Sequence, residues 1–249
     1  MKKILLAGES FITTENHTKG FDFATLGRYE EVGKPFVKTL ERLGYKVTHL
    51  PNHIALTEFP ETAEALSQYD VVILSDIGSN TLLLDPEMVF KCVIKGNRLQ
   101  AIKEYVLSGG GFLMIGGYFS FCGFEGKARY NMTPIKDILP VKMLNYDDRI
   151  DSPEGVAPVI VDRSHPIVKG IEEPWPRYLG YNYIEEREGA QVICKIKDTV
   201  GLAAGEYGKG RSVATAFDAL PHWALQEVLD WKYYPVIWKN IIEWLTEKK

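Results

Sequence analysis

Three short runs in this chain, at residues 4–7, 71–74 and 112–115, are apolar throughout: Ile4-Leu5-Leu6-Ala7, Val71-Val72-Ile73-Leu74 and Phe112-Leu113-Met114-Ile115. A strand with one wet face alternates apolar and polar residues, so an unbroken apolar run is the mark of a strand covered on both faces. Helical patterns separate the runs. Pro35 opens one in which Phe36, Val37, Leu40 and Leu43 recur at helical spacing, and Gly44 ends it. Residues 45–50 read as a strand stopped by Pro51, and residues 61–66 as a short helix. Residues 97–107 form an amphipathic helix with Leu99, Ile102 and Val106 on one face, ended by Gly109-Gly110-Gly111. Strand and helix alternating in this way require right-handed crossovers. The expected fold class is therefore α/β, a doubly wound, mostly parallel sheet.

The second half is less regular and β-rich. Residues 132–139 read as a short helix, 140–144 as an extended segment and 146–156 as a loop. Residues 159–161, 181–185, 191–196, 200–204 and 211–217 are strand candidates, with a tight turn at Gly208-Lys209-Gly210. Ile237, Trp238, Ile241, Ile242 and Leu245 mark a closing amphipathic helix. The stretch after Ser10 reads as a polar loop. With no repeat, low-complexity tract or long linker, residues 1–249 are expected to form a single domain.

Composition narrows the function classes. A net charge of −4 leaves no electrostatic footprint for nucleic acid or an anionic membrane. Lys248 and Lys249 sit near acids and aromatics and form no basic stripe. The apolar run at 4–7 meets Glu9 too soon for a signal peptide, and no run approaches the length of a membrane span. Cys92, Cys122 and Cys194 are an odd, scattered set, pointing to a reducing cytoplasm. His17, His49, His53 and His165 have no metal-ligand spacing, so no metal and no cofactor are expected. His165-Pro166 reads as a turn entry and Asp147-Asp148-Arg149 as a solvated loop. The aromatics crowding the last thirty residues, Trp223 to Trp244, suit either the core or a homo-oligomer interface.

In a parallel sheet of this kind the ligand crevice lies beyond the carboxyl ends of the strands, which places Glu9, Asp76 and Tyr118 on one rim. The blocks Gly109 to Phe121, Leu139-Pro140-Val141, Ser164-His165-Pro166-Ile167, Tyr207 to Arg211 and Asp218 to Trp223 resemble a largely uncharacterised branch of the class I glutamine amidotransferase-like proteins. That branch is related more distantly to trehalose-utilisation-type proteins. The resemblance implies a flavodoxin-like sheet. It leaves activity open, because fold does not fix function.

Amidotransferases of this kind place a cysteine on a sharp strand-to-helix turn, where backbone N–H groups hold an oxyanion. Counted from Gly116, that position here is Tyr118, and a phenol is a poor replacement for a thiolate. Two readings follow. In the first, an altered amidotransferase-like domain binds a small polar ligand through Glu9, Asp76, Gly116, Gly117, Tyr118 and Ser120. In the second, a cysteine-dependent amidase or amidotransferase uses Cys122 as nucleophile, His222 as base and Asp218 to orient it. The two differ in whether the Cys122 sulfur reaches His222 at the crevice.

Overall fold

The runs at 4–7, 71–74 and 112–115 lie side by side at the centre of one sheet. The computed structural model describes residues 1–172 and 174–247; Lys248 and Lys249 lie outside the described residues. The first half runs β1 (Lys3–Gly8), β2 (Ser10–Lys19), β3 (Asp22–Glu31), α1 (Lys34–Arg42), β4 (Lys46–Leu50), α2 (Asn52–Glu58) and α3 (Ala63–Leu66). It continues through β5 (Val71–Ser75), α4 (Ser79–Leu83), α5 (Pro86–Lys91), α6 (Arg98–Leu107) and β6 (Gly111–Ile115). The second half runs β7 (Val141–Met143), β8 (Arg149–Val156), β9 (Val159–Ile160), β10 (Tyr178–Asn182), β11 (Ile184–Glu186), β12 (Gln191–Ile196), β13 (Thr199–Tyr207) and β14 (Gly210–Thr215). Helices α7 (Gln226–Leu229) and α8 (Tyr234–Thr246) close the chain.

The eight-stranded sheet has the order β4-β1-β5-β6-β14-β13-β12-β9. Its first five strands are parallel, in the flavodoxin-like order, and the last three extend it antiparallel. Every residue of β5 and β6 is buried, as their apolar runs require. Helix α6 presents Leu99, Ile102 and Val106 to the core and is capped by Asn97, whose side chain accepts the N–H groups of Leu99 and Gln100. The C-terminal aromatics serve the core: Trp223, Tyr234, Trp238 and Trp244 are buried, and Trp231 and Tyr233 are half-buried. Among the described residues no helix is long and apolar enough to cross a membrane.

The architecture differs from expectation at several points. The stretch expected as a polar loop is the ribbon β2–β3, paired residue for residue from Ser10↔Glu31 to Lys19↔Asp22. Its two-residue loop begins at Gly20, whose φ of +63° fits the first position of a hairpin turn. Three threonines of β2 stand among Glu15, Asn16, His17 and Lys19, so the β-branched pattern is masked by polarity. Residues 132–139 are short 3-10 turns, and the expected loop at 146–156 contains β8. The strand expected at 181–185 is broken at Tyr183, whose N–H turns aside to the Asp148 carbonyl. His165 does serve a turn: its Nδ1 accepts the Ile167 N–H at 3.2 Å.

Candidate functional site

The strand order reverses between β1 and β5, and their carboxyl ends form the crevice floor. Here Gly8 passes so close to the neighbouring strand that a Cβ on it would stand 1.7 Å from the Ser75 carbonyl oxygen. Beyond that contact the chain turns out sharply. Glu9 (φ +60°) and Asp76 (φ +45°) both adopt the left-handed conformation that non-glycine residues seldom occupy. The crevice above them has a volume of about 810 Å3. Phe11, Ile12 and Tyr29 from the ribbon form one wall, and Asn80, Thr81, Tyr118 and Phe119 form another. Asp76 and His222 lie between them.

Three buried carboxylates gather beneath this crevice: Glu9, Asp76 and Asp218 are 2%, 8% and 1% exposed. Burial, and then the Asp76 charge, raises the Glu9 carboxyl from its ordinary 4.5 to about 8, despite the hydrogen bond from Ser75 Oγ. Burial and the charges of Glu9 and Asp76 push Asp218 well above the carboxylate range. Burial raises Asp76 too, but it has the better compensation. Its Oδ1 accepts the Phe119 N–H at 2.7 Å, and its Oδ2 lies 3.7 Å from His222 Nδ1. Like charges this near oppose one another's ionisation, and Asp76, with the Phe119 N–H and His222 beside it, is the most favoured of the three to hold a charge.

This yields a pH signature. The unfolded Glu9 ionises above about 4.5, whereas the folded one keeps its proton to about 8. Between those values the unfolded state loses the proton first, so this group lowers stability as pH rises, by up to ~1.4 kcal/mol per unit. Glu9→Gln retains the acceptor for Ser75 and removes the titration. Melting curves are expected to coincide at pH 4.5 and to separate up to pH 8 in favour of the variant. A separation independent of pH would contradict the assignment.

The turn after β6 is held from within. Gly116 leaves no room for a side chain, since a Cβ would stand 2.4 Å from the Ala216 carbonyl oxygen. The Gly117 N–H donates to Asn182 Oδ1 at 3.0 Å. Asn182 Nδ2 in turn donates to Asp148 Oδ1, and that carboxylate accepts the N–H groups of Cys122 (2.8 Å) and Gly123 (2.9 Å). Ser120 is turned inward, its Oγ donating to the Ile115 carbonyl. Asp148 belongs to the segment expected to be a solvated loop, yet it is fully buried and its carboxyl is raised to about 6 by burial. Neither Asp148 nor Asn182 was singled out from sequence. Their partners lie 25 residues or more away along the chain, and no local pattern marks them.

Tyr118 stands at the nucleophile position, half-buried, with its ring stacked on His222 at 5.3 Å and 8° between planes. Arg149 lies over the Tyr118 ring at 5.6 Å. Cys122 is 2% exposed, and burial together with the charges of Asp148 and Asp147 pushes its thiol up to about 11. Among the described residues no hydrogen bond joins Cys122 to His222, nor Asp218 to His222; Asp218 Oδ1 instead accepts the Leu220 N–H. The fold thus brings Glu9, Asp76, Tyr118, Asp218 and His222 together around the crevice floor, with Cys122 and Ser120 packed behind the turn. No cluster of metal-ligating residues occurs among the described residues.

A flavodoxin-order sheet with its crevice at the β1/β5 reversal, beside a glycine-lined turn after the next strand, defines the class I glutamine amidotransferase-like architecture. The chain belongs to the family described as "Putative glutamine amidotransferase", whose model matches residues 3–247. It is similar to a cytoplasmic protein of Salmonella typhimurium, with 40% identity over 98% of this chain and 99% of that one and a TM-score of 0.95. A cytoplasmic protein of Salmonella typhimurium LT2 shows 42% identity over 99% and 100%, with a TM-score of 0.94. A "Putative thua-like protein" of Bacteroides uniformis shares the fold at 12% identity over 100% and 93%, with a TM-score of 0.61. No curated protein matches the chain.

Proposed function

We propose that this amidotransferase-like protein binds a small polar ligand in the crevice and handles protons there through the Asp76–His222 pair, without an elbow thiol. The observation that carries this reading is the stack of Tyr118 on His222, with Asp76 behind the imidazole. A carboxylate beside one ring nitrogen orients an imidazole as a general base, a role that needs no covalent nucleophile. Asn52 also lines the crevice, its Nδ2 donating to the Ser10 carbonyl, and its buried Oδ1 has no hydrogen-bond partner among the described residues. Glu9 and Asp218 lie buried beneath the floor, where burial and their mutual charges favour their protonated forms over that of Asp76. Gly117 gives the turn its close approach to Asp76, Gly116 its close approach to the Ala216 carbonyl, and Ser120 fixes the turn's inner side. The two Salmonella relatives are cytoplasmic proteins, which supports the same setting here.

The competing reading, an amidase using Cys122, His222 and Asp218, needs a thiolate that burial and two neighbouring carboxylates oppose. The test pairs a glutaminase assay and native-state alkylation by iodoacetamide with a thermal-shift screen of small polar metabolites. The expected results are no ammonia release from glutamine, labelling at exposed Cys92 but not at Cys122, and a stabilising ligand whose effect is lost in His222→Ala. Ammonia release abolished by Cys122→Ala would overturn the proposal.

A further inference from the structure

The ribbon β2–β3 has two unlike faces. Register places Ile12, Thr14, Asn16 and Thr18 with Tyr29, Gly27, Thr25 and Phe23 on one side, a face without charge outward of Glu31. The opposite face carries Glu15, His17, Lys19, Asp22, Arg28 and Glu30 beside Phe11, Thr13, Ala24 and Leu26, with an Arg28–Glu15 ion pair at 3.0 Å. The charged face is dressed for water and the other is not, yet Ile12 (70%), Phe23 (67%) and the loop-tip Phe21 are exposed. A two-stranded ribbon is marginal in water unless an apolar face is covered.

A second uncovered apolar surface lies on the same molecule. Leu84, Val89, Phe90, Val93 and Ile94, on and around α5, are all exposed, Phe90 at 83% and Ile94 at 96%. This strip begins three residues after Thr81, which lines the crevice, just as Ile12 and Tyr29 line it from the ribbon side. Scattered exposed apolar residues need no explanation, but two clusters of them, each joined in sequence to residues lining one crevice, do.

We propose that these two surfaces are the halves of one homodimer interface, the uncharged ribbon face of each copy lying on the strip 84–94 of the other. A second copy is the occupant that meets both needs at once. Every molecule carries one ribbon and one strip, and a twofold exchange covers both and closes. The area is adequate: the aromatic and aliphatic side chains of the two patches together bury on the order of 1,000 Å2 per protomer, against ~800 Å2 per partner in a standard stable interface.

Sedimentation of the full-length protein is expected to show a dimer. Phe23→Glu and Phe90→Glu should each raise its dissociation constant at least tenfold, while Thr13→Glu on the charged face leaves it within about twofold. Native Cys92 lies in the strip and is exposed. Under mild oxidation, Thr25→Cys should therefore form an intermolecular disulfide to Cys92, and the adjacent Ala24→Cys, on the charged face, should not. A monomer at all concentrations overturns the proposal. So does a dimer indifferent to Phe90→Glu, which would mean that ribbon meets ribbon. Circular dichroism on each variant separates lost association from lost folding.

Discussion

Asp148→Ala is expected to lower the melting temperature by about 10 °C and to make Cys122 reactive in the native protein. The carboxylate accepts two backbone N–H groups of the turn and one from Asn182, all at 2.8–2.9 Å and all buried. Each orphaned donor costs roughly 1–3 kcal/mol. Part of that loss is offset, because burial already holds the Asp148 carboxyl up near 6, so removing it also removes a desolvated charge at neutral pH. A net loss of about 3 kcal/mol corresponds to roughly 10 °C in a chain of this size. Freed at Cys122 and Gly123, the turn opens and its thiol labels. Iodoacetamide mass mapping beside thermal melts reads both effects. An unchanged melt with Cys122 still protected would show that the turn is held by its packing alone.

Gly8→Ala is expected to have the larger effect and to leave little soluble, folded protein. The new methyl would stand 1.7 Å from the Ser75 carbonyl oxygen and 2.9 Å from its carbon, a clash of backbone with backbone that no rotamer relieves. At a φ of +118° the substitution is also strained by itself. Relief requires prising apart the carboxyl ends of β1 and β5, where Glu9 and Asp76 are set. Losses of this kind exceed ~4 kcal/mol. Soluble yield and urea unfolding are the measurements, with Gly44→Ala as the control; that glycine also has a positive φ, but its Cβ would meet open space. If both variants unfold alike, backbone strain and not the strand contact is the cause.

The parallel half of the sheet was legible because burial on two faces leaves a signature no other element shares, as in Val71 to Leu74. Topology puts Asp76 and Tyr118 at the crevice, whereas Glu9, expected on the same rim, is buried beneath its floor. The ribbon was not legible: its β pattern is carried largely by threonines set among charged residues, and its uncharged face becomes visible only once the register pairs Asn16 with Thr25. Asp148 was hidden for a different reason. Beside Asp147 and Arg149 it has the look of a solvated charge, and only the fold reveals that the elbow's N–H groups converge on it.

That convergence bears on what chemistry the turn can support. The elbow's donors are taken by the protein's own side chains: Gly117 gives its N–H to Asn182, Phe119 to Asp76, and Cys122 and Gly123 to Asp148. A thiol restored at position 118 would therefore find its oxyanion donors already engaged. Thiol chemistry at this turn would need coordinated change at several distant positions, Asp76, Asp148 and Asn182 among them.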